Sequence, residues 1–167
     1  MARNLHSDNY SDNTEPMLAK KKILVVDDEE DILEFISYNL DREGAKVYTA
    51  KNGIDAIEIA RKKKPDLILL DLMMPEIDGV ETCLRLREIQ ETKHIIVAFL
   101  TARGEDYSQI AGFDAGADDY ITKPIKPRVL ISRLKALLRR KESSITYEGV
   151  AELKSLKIDR DRYVVVK

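Results

Sequence analysis

The sequence predicts an α/β fold built on a five-stranded parallel sheet. Two observations carry that prediction. Short apolar runs recur without polar alternation, which is how strands buried on both faces of a sheet read. Between the runs, apolar residues recur at helical spacing. Strand and helix therefore alternate, and βα units imply parallel pairing through right-handed crossovers.

The elements follow in order. Ile23-Leu24-Val25-Val26 is the first strand. Ile32, Phe35, Ile36 and Leu40 then share one helical face, with Gly44 as a C-terminal cap. Lys46-Val47-Tyr48-Thr49-Ala50 is a weaker second strand. Asn52-Gly53 opens a helix through Ile54, Ile57 and Ile59, which a basic run and Pro65 close. Leu67-Ile68-Leu69-Leu70 is the third strand, and Val80, Cys83, Leu84 and Leu86 mark the third helix. Ile95-Ile96-Val97-Ala98-Phe99-Leu100 is the fourth strand, followed by helical residues from Ile110 to Phe113. Tyr120-Ile121-Thr122 is the fifth strand, and Leu130, Leu134, Leu137 and Leu138 mark the fifth helix.

The flanks read differently. Residues 1–21 are polar and lack apolar periodicity, as a disordered extension does. Residues 22–141 are the α/β domain and 142–146, with Ser143-Ser144, a linker. In residues 147–167, Leu156-Lys157-Ile158 and Tyr163-Val164-Val165-Val166 flank Asp159-Arg160-Asp161-Arg162 as a β-hairpin. A lone hairpin is unstable in water, so this piece reads as the start of a truncated further domain.

Composition narrows the class. Apolar residues at 44% and charged residues at 35% fit a globular chain rather than a fibrous or disordered one. A net charge of −2 means that the surface as a whole is no polyanion trap. No apolar run is long enough for a bilayer, and the N-terminus lacks the apolar core of a signal peptide. The expectation is a cytoplasmic protein with no membrane partner. Cys83, the single cysteine, reads as a small buried hydrophobe. His6 and His94 lack metal-ligand spacing. Lys20-Lys21-Lys22 reads as a solvated strand edge. Arg61-Lys62-Lys63-Lys64 and Arg139-Arg140-Lys141 read as complements to helix C-termini.

Ligands of an open parallel α/β sheet bind outside the carboxyl ends of its strands. Here four of the five ends carry reactive groups: Asp27-Asp28, Asp71, Thr101, and Lys123 before Pro124. Alone, each reads as a helix cap or a solvated end. Together they make chemical sense. Three carboxylates repel one another unless a cation intervenes, and hard oxygen ligands suit Mg²⁺. A lysine offers a mobile positive charge for a phosphate oxygen, and a threonine offers a hydroxyl donor. A carboxylate can itself attack phosphorus to form an acyl phosphate. A flavin- or nucleotide-dependent enzyme on the same fold would need a glycine-rich phosphate loop or a Walker lysine, and neither is present.

Four motifs occur in order: Val25-Val26-Asp27-Asp28-Glu29; Leu69-Leu70-Asp71-Leu72-Met73-Met74-Pro75-Glu76-Ile77-Asp78-Gly79; Leu100-Thr101-Ala102; and Gly116-Ala117-Asp118-Asp119-Tyr120-Ile121-Thr122-Lys123-Pro124. Together they resemble the receiver domain of two-component response regulators. The resemblance implies a flavodoxin- or CheY-like (βα)5 fold with strand order 2-1-3-4-5. It implies that Asp71 is the phosphoacceptor, that a sensor histidine kinase is the donor, and that the domain signals rather than turns over a substrate. It further implies Mg²⁺ ligation by Asp27, Asp28, Asp71 and the backbone carbonyl of Met73. Thr101 and Lys123 would contact the phosphoryl group, and Thr101 and Tyr120 would form the switch. Receiver-like domains that no longer take phosphate usually lack the acidic pair, the acceptor or the lysine, and all remain here.

Within the family, the Asp118-Asp119-Tyr120 segment and Lys126-Pro127 look most like the winged-helix DNA-binding (OmpR/PhoB-type) subclass. Residues from Ile145 resemble the first strands of its effector domain, so DNA contact is expected only through the full-length protein. The subclass forms a homodimer on phosphorylation through its fourth helix, fifth strand and fifth helix. The resemblance places Ile110, Phe113 and Ile131 at the centre of that face. Asp119 would face Arg133, and Asp118 would face Arg140, across the two-fold. A further charged pair common in the subclass falls at the neutral Gln109 and Val129, so a weaker dimer is expected.

Overall fold

The structure, a computed structural model, describes residue 16, residues 18–102 and residues 114–144. Its five strands are β1 (Lys22–Val26), β2 (Lys46–Ala50), β3 (Leu67–Asp71), β4 (Ile96–Thr101) and β5 (Asp119–Thr122). All pair in parallel, in the order β2-β1-β3-β4-β5. Three helices are α1 (Glu30–Arg42), α2 (Gly53–Lys63) and α3 (Gly79–Glu88). A fourth, α4, spans 127–144. The expected strand order and parallel sheet are therefore observed.

The apolar runs sit where double-faced burial requires them. β3 and β4 are buried at every position, and β1 at every position after Lys22. Side chains alternate across the sheet, so each strand feeds two layers. Ile23, Val25, Leu67 and Leu69 join Leu33, Ile36 and Leu40 of α1 and Leu130 and Leu134 of α4. Leu24, Val26, Ile68 and Leu70 join Ala56 and Ala60 of α2 and Cys83 and Leu86 of α3. The helices start on side-chain caps where the sequence offers them: Asn52 accepts from Asp55 N–H, and Asp78 from Glu81 N–H.

Three helix faces depart from the expected phase. Phe35, Ile54 and Leu84 are exposed, whereas Leu33, Ile36 and Leu40 face the sheet from α1. On α2 the buried positions are Gly53, Ala56 and Ala60, and on α3 they are Gly79, Thr82, Cys83 and Leu86. Small residues win these positions because α2 and α3 pack closely. A Cβ on Gly53 would overlap Thr82 Oγ1 and lie 2.7 Å from Ile77 Cδ1.

Packing against the core also involves a residue before position 22. Leu18 is fully buried in the α1–α4 layer. A turn holds it there: Lys21 N–H donates to Leu18 O at 3.1 Å and Lys20 N–H to Gly44 O at 3.3 Å. Gly44, at φ 82°, lets Ala19 approach; a Cβ there would lie 3.3 Å from Ala19 Cα. The expected fourth helix with Ile110 and Phe113, the extension through residue 15, and the hairpin within 147–167 lie outside the described residues. Among the described residues, no helix is long and apolar enough to cross a membrane.

Candidate functional site

The strand order reverses on either side of β1, so the crevice opens above the carboxyl ends of β1 and β3. Register sets what stands there. Val26 pairs with Leu70, which places Asp27 level with Asp71. Asp71 pairs with Leu100, which places Thr101 one residue above it on the neighbouring strand.

Asp27 and Asp71 are buried and Asp28 is exposed, yet one oxygen from each lies within 4.8 Å of the others. Lys123 Nζ donates to Asp27 Oδ2 at 2.9 Å and more loosely to Asp71 Oδ1 at 3.4 Å. Its backbone N–H donates to Thr101 O at 2.6 Å, tying the lysine to the end of β4. Asp27 Oδ1 accepts Glu29 N–H at 2.9 Å, which fixes the carboxylate at the turn into α1. Gly79 brings the start of α3 onto the back of the acceptor. Its N–H donates to Leu72 O at 2.9 Å, and a Cβ would overlap the Asp71 carbonyl and lie 2.9 Å from Leu72 Cα.

The electrostatics follow from this crowding. Burial, and then the Asp27 charge, push Asp71 up to about 6, and Lys123 offsets them only in part. For Lys123, burial opposes the charged form, but the hydrogen bond to Asp27 and the charges of Asp71 and Asp27 outweigh it and raise its pKa. Three carboxylates against one ammonium leave two negative charges uncompensated. That donor set, hard, anionic and convergent, fits a metal cation.

Thr101 adds a hydrogen-bond donor to the same crevice. Its side chain is buried, and among the described residues its hydroxyl has no hydrogen-bond partner. Buried hydroxyls are rarely left so, and the exceptions call for an explanation. Tyr120, on the adjacent strand, is buried with its ring 5.5 Å from that of Phe99. Met73 N–H lies 3.4 Å from Asp71 Oδ1, and the Met73 side chain is exposed.

The residues expected at a dimer face are only partly brought together. Asp119 and Arg133 pair within one chain at 3.1 Å, and Arg133 also donates to Tyr120 O at 2.7 Å. Asp118 Oδ2 accepts from Val97 N–H at 2.8 Å and from Arg87 at 3.2 Å. Arg140 lines the same cavity as Asp118 and Arg87. Ile131 stands apart from Val129 and Arg133 on α4. It packs against the core and lines the groove between α1 and α4, with Asn39 and Arg42, while Val129 and Arg133 line a different one. The reason is helical geometry: residues two apart point about 200° from each other.

Arg87 is the residue that sequence reading passed over. It donates to Lys93 O, Ile95 O and Gly116 O as well as to Asp118, bracing the entry to β4 and β5. Its only signal was a basic residue in a last helical turn, which suggests nothing more than a dipole partner. Cys83 behaves as expected of a buried hydrophobe. Its thiol points at Ala115 O, and burial raises its pKa to about 11.

Sheet order and site together define a class: a doubly wound α/β domain with an acidic cluster, a lysine and a buried threonine hydroxyl at the carboxyl ends of its strands. The sequence profile described as response regulator receiver domain matches residues 23–135, and the chain belongs to that family. It is 44% identical over 151 residues to the alkaline phosphatase synthesis transcriptional regulatory protein PhoP of Bacillus subtilis, covering 86% of this chain and 62% of that protein. It is 42% identical over 151 residues to the transcriptional regulatory protein SrrA of Staphylococcus aureus, covering 87% and 61% respectively. The chain thus spans about three fifths of the length of both relatives. Among solved structures it resembles the BeF3-activated DrrB receiver domain, with a TM-score of 0.65 and 36% identity over 72% of this chain and 98% of that one. DrrB is a Thermotoga maritima OmpR/PhoB homologue.

Proposed function

We propose that this chain is the phosphorylation switch of a cytoplasmic two-component transcriptional regulator, with Asp71 as the phosphoacceptor. The observation that carries the reading is the setting of Asp71. It is buried at a topological switch point beside two further carboxylates, an ammonium and a hydroxyl that has no partner among the described residues. Asp27, Asp28, Asp71 and the Met73 carbonyl would hold Mg²⁺. When bound, the ion supplies the positive charge that lets a phosphoryl group approach these carboxylates.

The chain's own groups do the rest. An Asp71 carboxylate oxygen forms a bond to the phosphorus of a phosphohistidine on a sensor histidine kinase. The P–N bond breaks, and the departing imidazole nitrogen takes a proton from solvent. Lys123, already 3.4 Å from Asp71, turns toward a phosphoryl oxygen, and the Thr101 hydroxyl donates to another. Drawing Thr101 toward the phosphoryl group alters the packing beside Tyr120 and shifts the balance between two conformations. Chemistry at the site is limited to its own phosphorylation and dephosphorylation.

The output is dimerisation. The Asp119–Arg133 pair, closed within one chain here, opens and re-forms across a two-fold, with Asp118 and Arg140 as a second pair. Residues beyond the linker begin a winged-helix effector, and DNA is bound by that effector in the whole protein. The names of PhoP and SrrA, both transcriptional regulators, support this part of the reading. The test is incubation with a small phosphodonor and Mg²⁺. One phosphoryl group should be added per chain, and a chelator or Asp71→Ala should abolish the addition. Undiminished labelling in Asp71→Ala overturns the assignment.

A further inference from the structure

We infer that the end of the sheet opposite Asp71 carries a docking surface for the phosphate backbone of duplex DNA, formed by Lys20, Lys22, Lys46, Lys63 and Lys64 around Tyr48. In the sequence these cations belong to separate runs, each with an ordinary explanation. The fold gathers them. Lys22 and Lys46 open β1 and β2 and are direct register partners. Lys22 Nζ reaches Lys63 O at 3.4 Å, so the end of α2 lies against the start of β1. Lys46 Nζ and Lys63 Nζ each stand 5.8 Å from the centre of the Tyr48 ring. Lys20 precedes β1 in the turn that bonds to Gly44, and Lys64 is the left-handed residue that ends α2.

Two ordinary roles for these lysines fall short. Basic residues complement a helix C-terminus, and lysine blunts an exposed sheet edge such as β2. Either role needs one or two cations. Nearby charges that do have partners are accounted for: Lys21 with Glu142, Lys62 with Glu58 and Arg61 with Glu91. The five named lysines are exposed and form no ion pair with an acidic side chain among the described residues. The adjacent Asp66 carboxylate, which accepts the Lys22 backbone N–H at 2.8 Å, offsets one of these five positive charges and leaves the cluster strongly basic. Like charges held together without partners repel, and the Tyr48 ring offsets this only in part. A polyanion relieves the repulsion and releases counterions as it binds.

The choice of duplex DNA rests on the proposed reading of the whole protein, whereas the surface itself rests on geometry. Lys21 Nζ meets Glu142 at 2.8 Å, so this end of the sheet adjoins the last turns of α4. The chain leaves the domain there toward residue 145. A DNA-binding domain that follows would be tethered nearer the lysine end than the Asp71 end.

The test uses the 167-residue chain and fluorescence anisotropy with two labelled duplexes of unrelated sequence. Both should bind weakly and equally, with affinity falling as salt rises at a log–log slope of about −3 to −4. Lys46→Glu/Lys63→Glu should weaken binding by about tenfold or more and flatten the slope by about 2. Lys126→Glu/Arg128→Glu, at the other end of the sheet, should leave affinity within about twofold. Circular dichroism of each variant checks that the fold is kept. Asp71→Ala should bind duplex as the unmodified chain does, which separates failure here from failure of the phosphoacceptor reading. Absence of binding at low salt, or binding that the Lys46/Lys63 reversal leaves unchanged, overturns the proposal. So does capture by anionic phospholipid vesicles with the duplex ignored.

Discussion

At the scale of single residues, Asp71 is held in tension. Burial and then the Asp27 charge oppose its ionised form, Lys123 and the Met73 N–H favour it, and the balance leaves its pKa at about 6. Because the folded value lies above the unfolded one, the carboxyl favours folding most when protonated, below about pH 4. That contribution is lost as the pH rises through about 6, and the ionised group then costs at most about 3 kcal/mol. Asp71→Asn without divalent metal should therefore raise the melting temperature by several degrees at about pH 7.5 and by much less at about pH 5. Thermal denaturation at both values checks this, and an Asn variant less stable at the higher pH contradicts it. Thr101→Val should behave in a related way. Losing a buried hydroxyl that has no partner among the described residues should leave the resting domain as stable or up to about 1 kcal/mol more stable. Beryllofluoride, a phosphoryl mimic, should bind the variant more weakly. A clear loss of resting stability means that the hydroxyl has a partner after all.

At the scale of elements, the approach of α3 to β3 depends on Gly79. A methyl group there would strike the Asp71 carbonyl and Leu72, so Gly79→Ala should cost about 2 kcal/mol or more and reduce phosphoryl acceptance as well. Chemical denaturation with a labelling assay measures both, and a stable, fully active variant contradicts the packing argument. Strands buried on both faces are readable as apolar runs, and the reactive residues at their ends identify the crevice. Helix phase is harder to read. Ile54 and Phe35 draw attention by size, but Ala56, Ala60 and Leu33 fit the narrow space against the sheet. Leu18 is a single apolar residue after a polar stretch, with no period to betray it, yet it plugs the core beneath α1 and α4. Arg87 acts through four distant oxygen acceptors that no local pattern joins.

At the scale of the whole molecule, the proposed function requires phosphorylation to change what the domain binds. The Asp119–Arg133 pair is closed within the chain and partly exposed, so its opening costs little. Beryllofluoride with Mg²⁺ should raise the dimer fraction in sedimentation, and Arg133→Glu should lower that fraction. A monomer population unchanged with the mimic bound counts against this face as the output. The central claim, however, is that Asp71 takes the phosphoryl group, and one experiment addresses it with least interpretation. An acyl phosphate on aspartate is reduced by borohydride to homoserine, which marks the modified position in a peptide map. After treatment with phosphodonor and Mg²⁺, homoserine should appear at position 71 and disappear in the presence of a chelator. Homoserine at position 27 or 28, or none anywhere in a chain that has gained phosphoryl mass, would contradict the account.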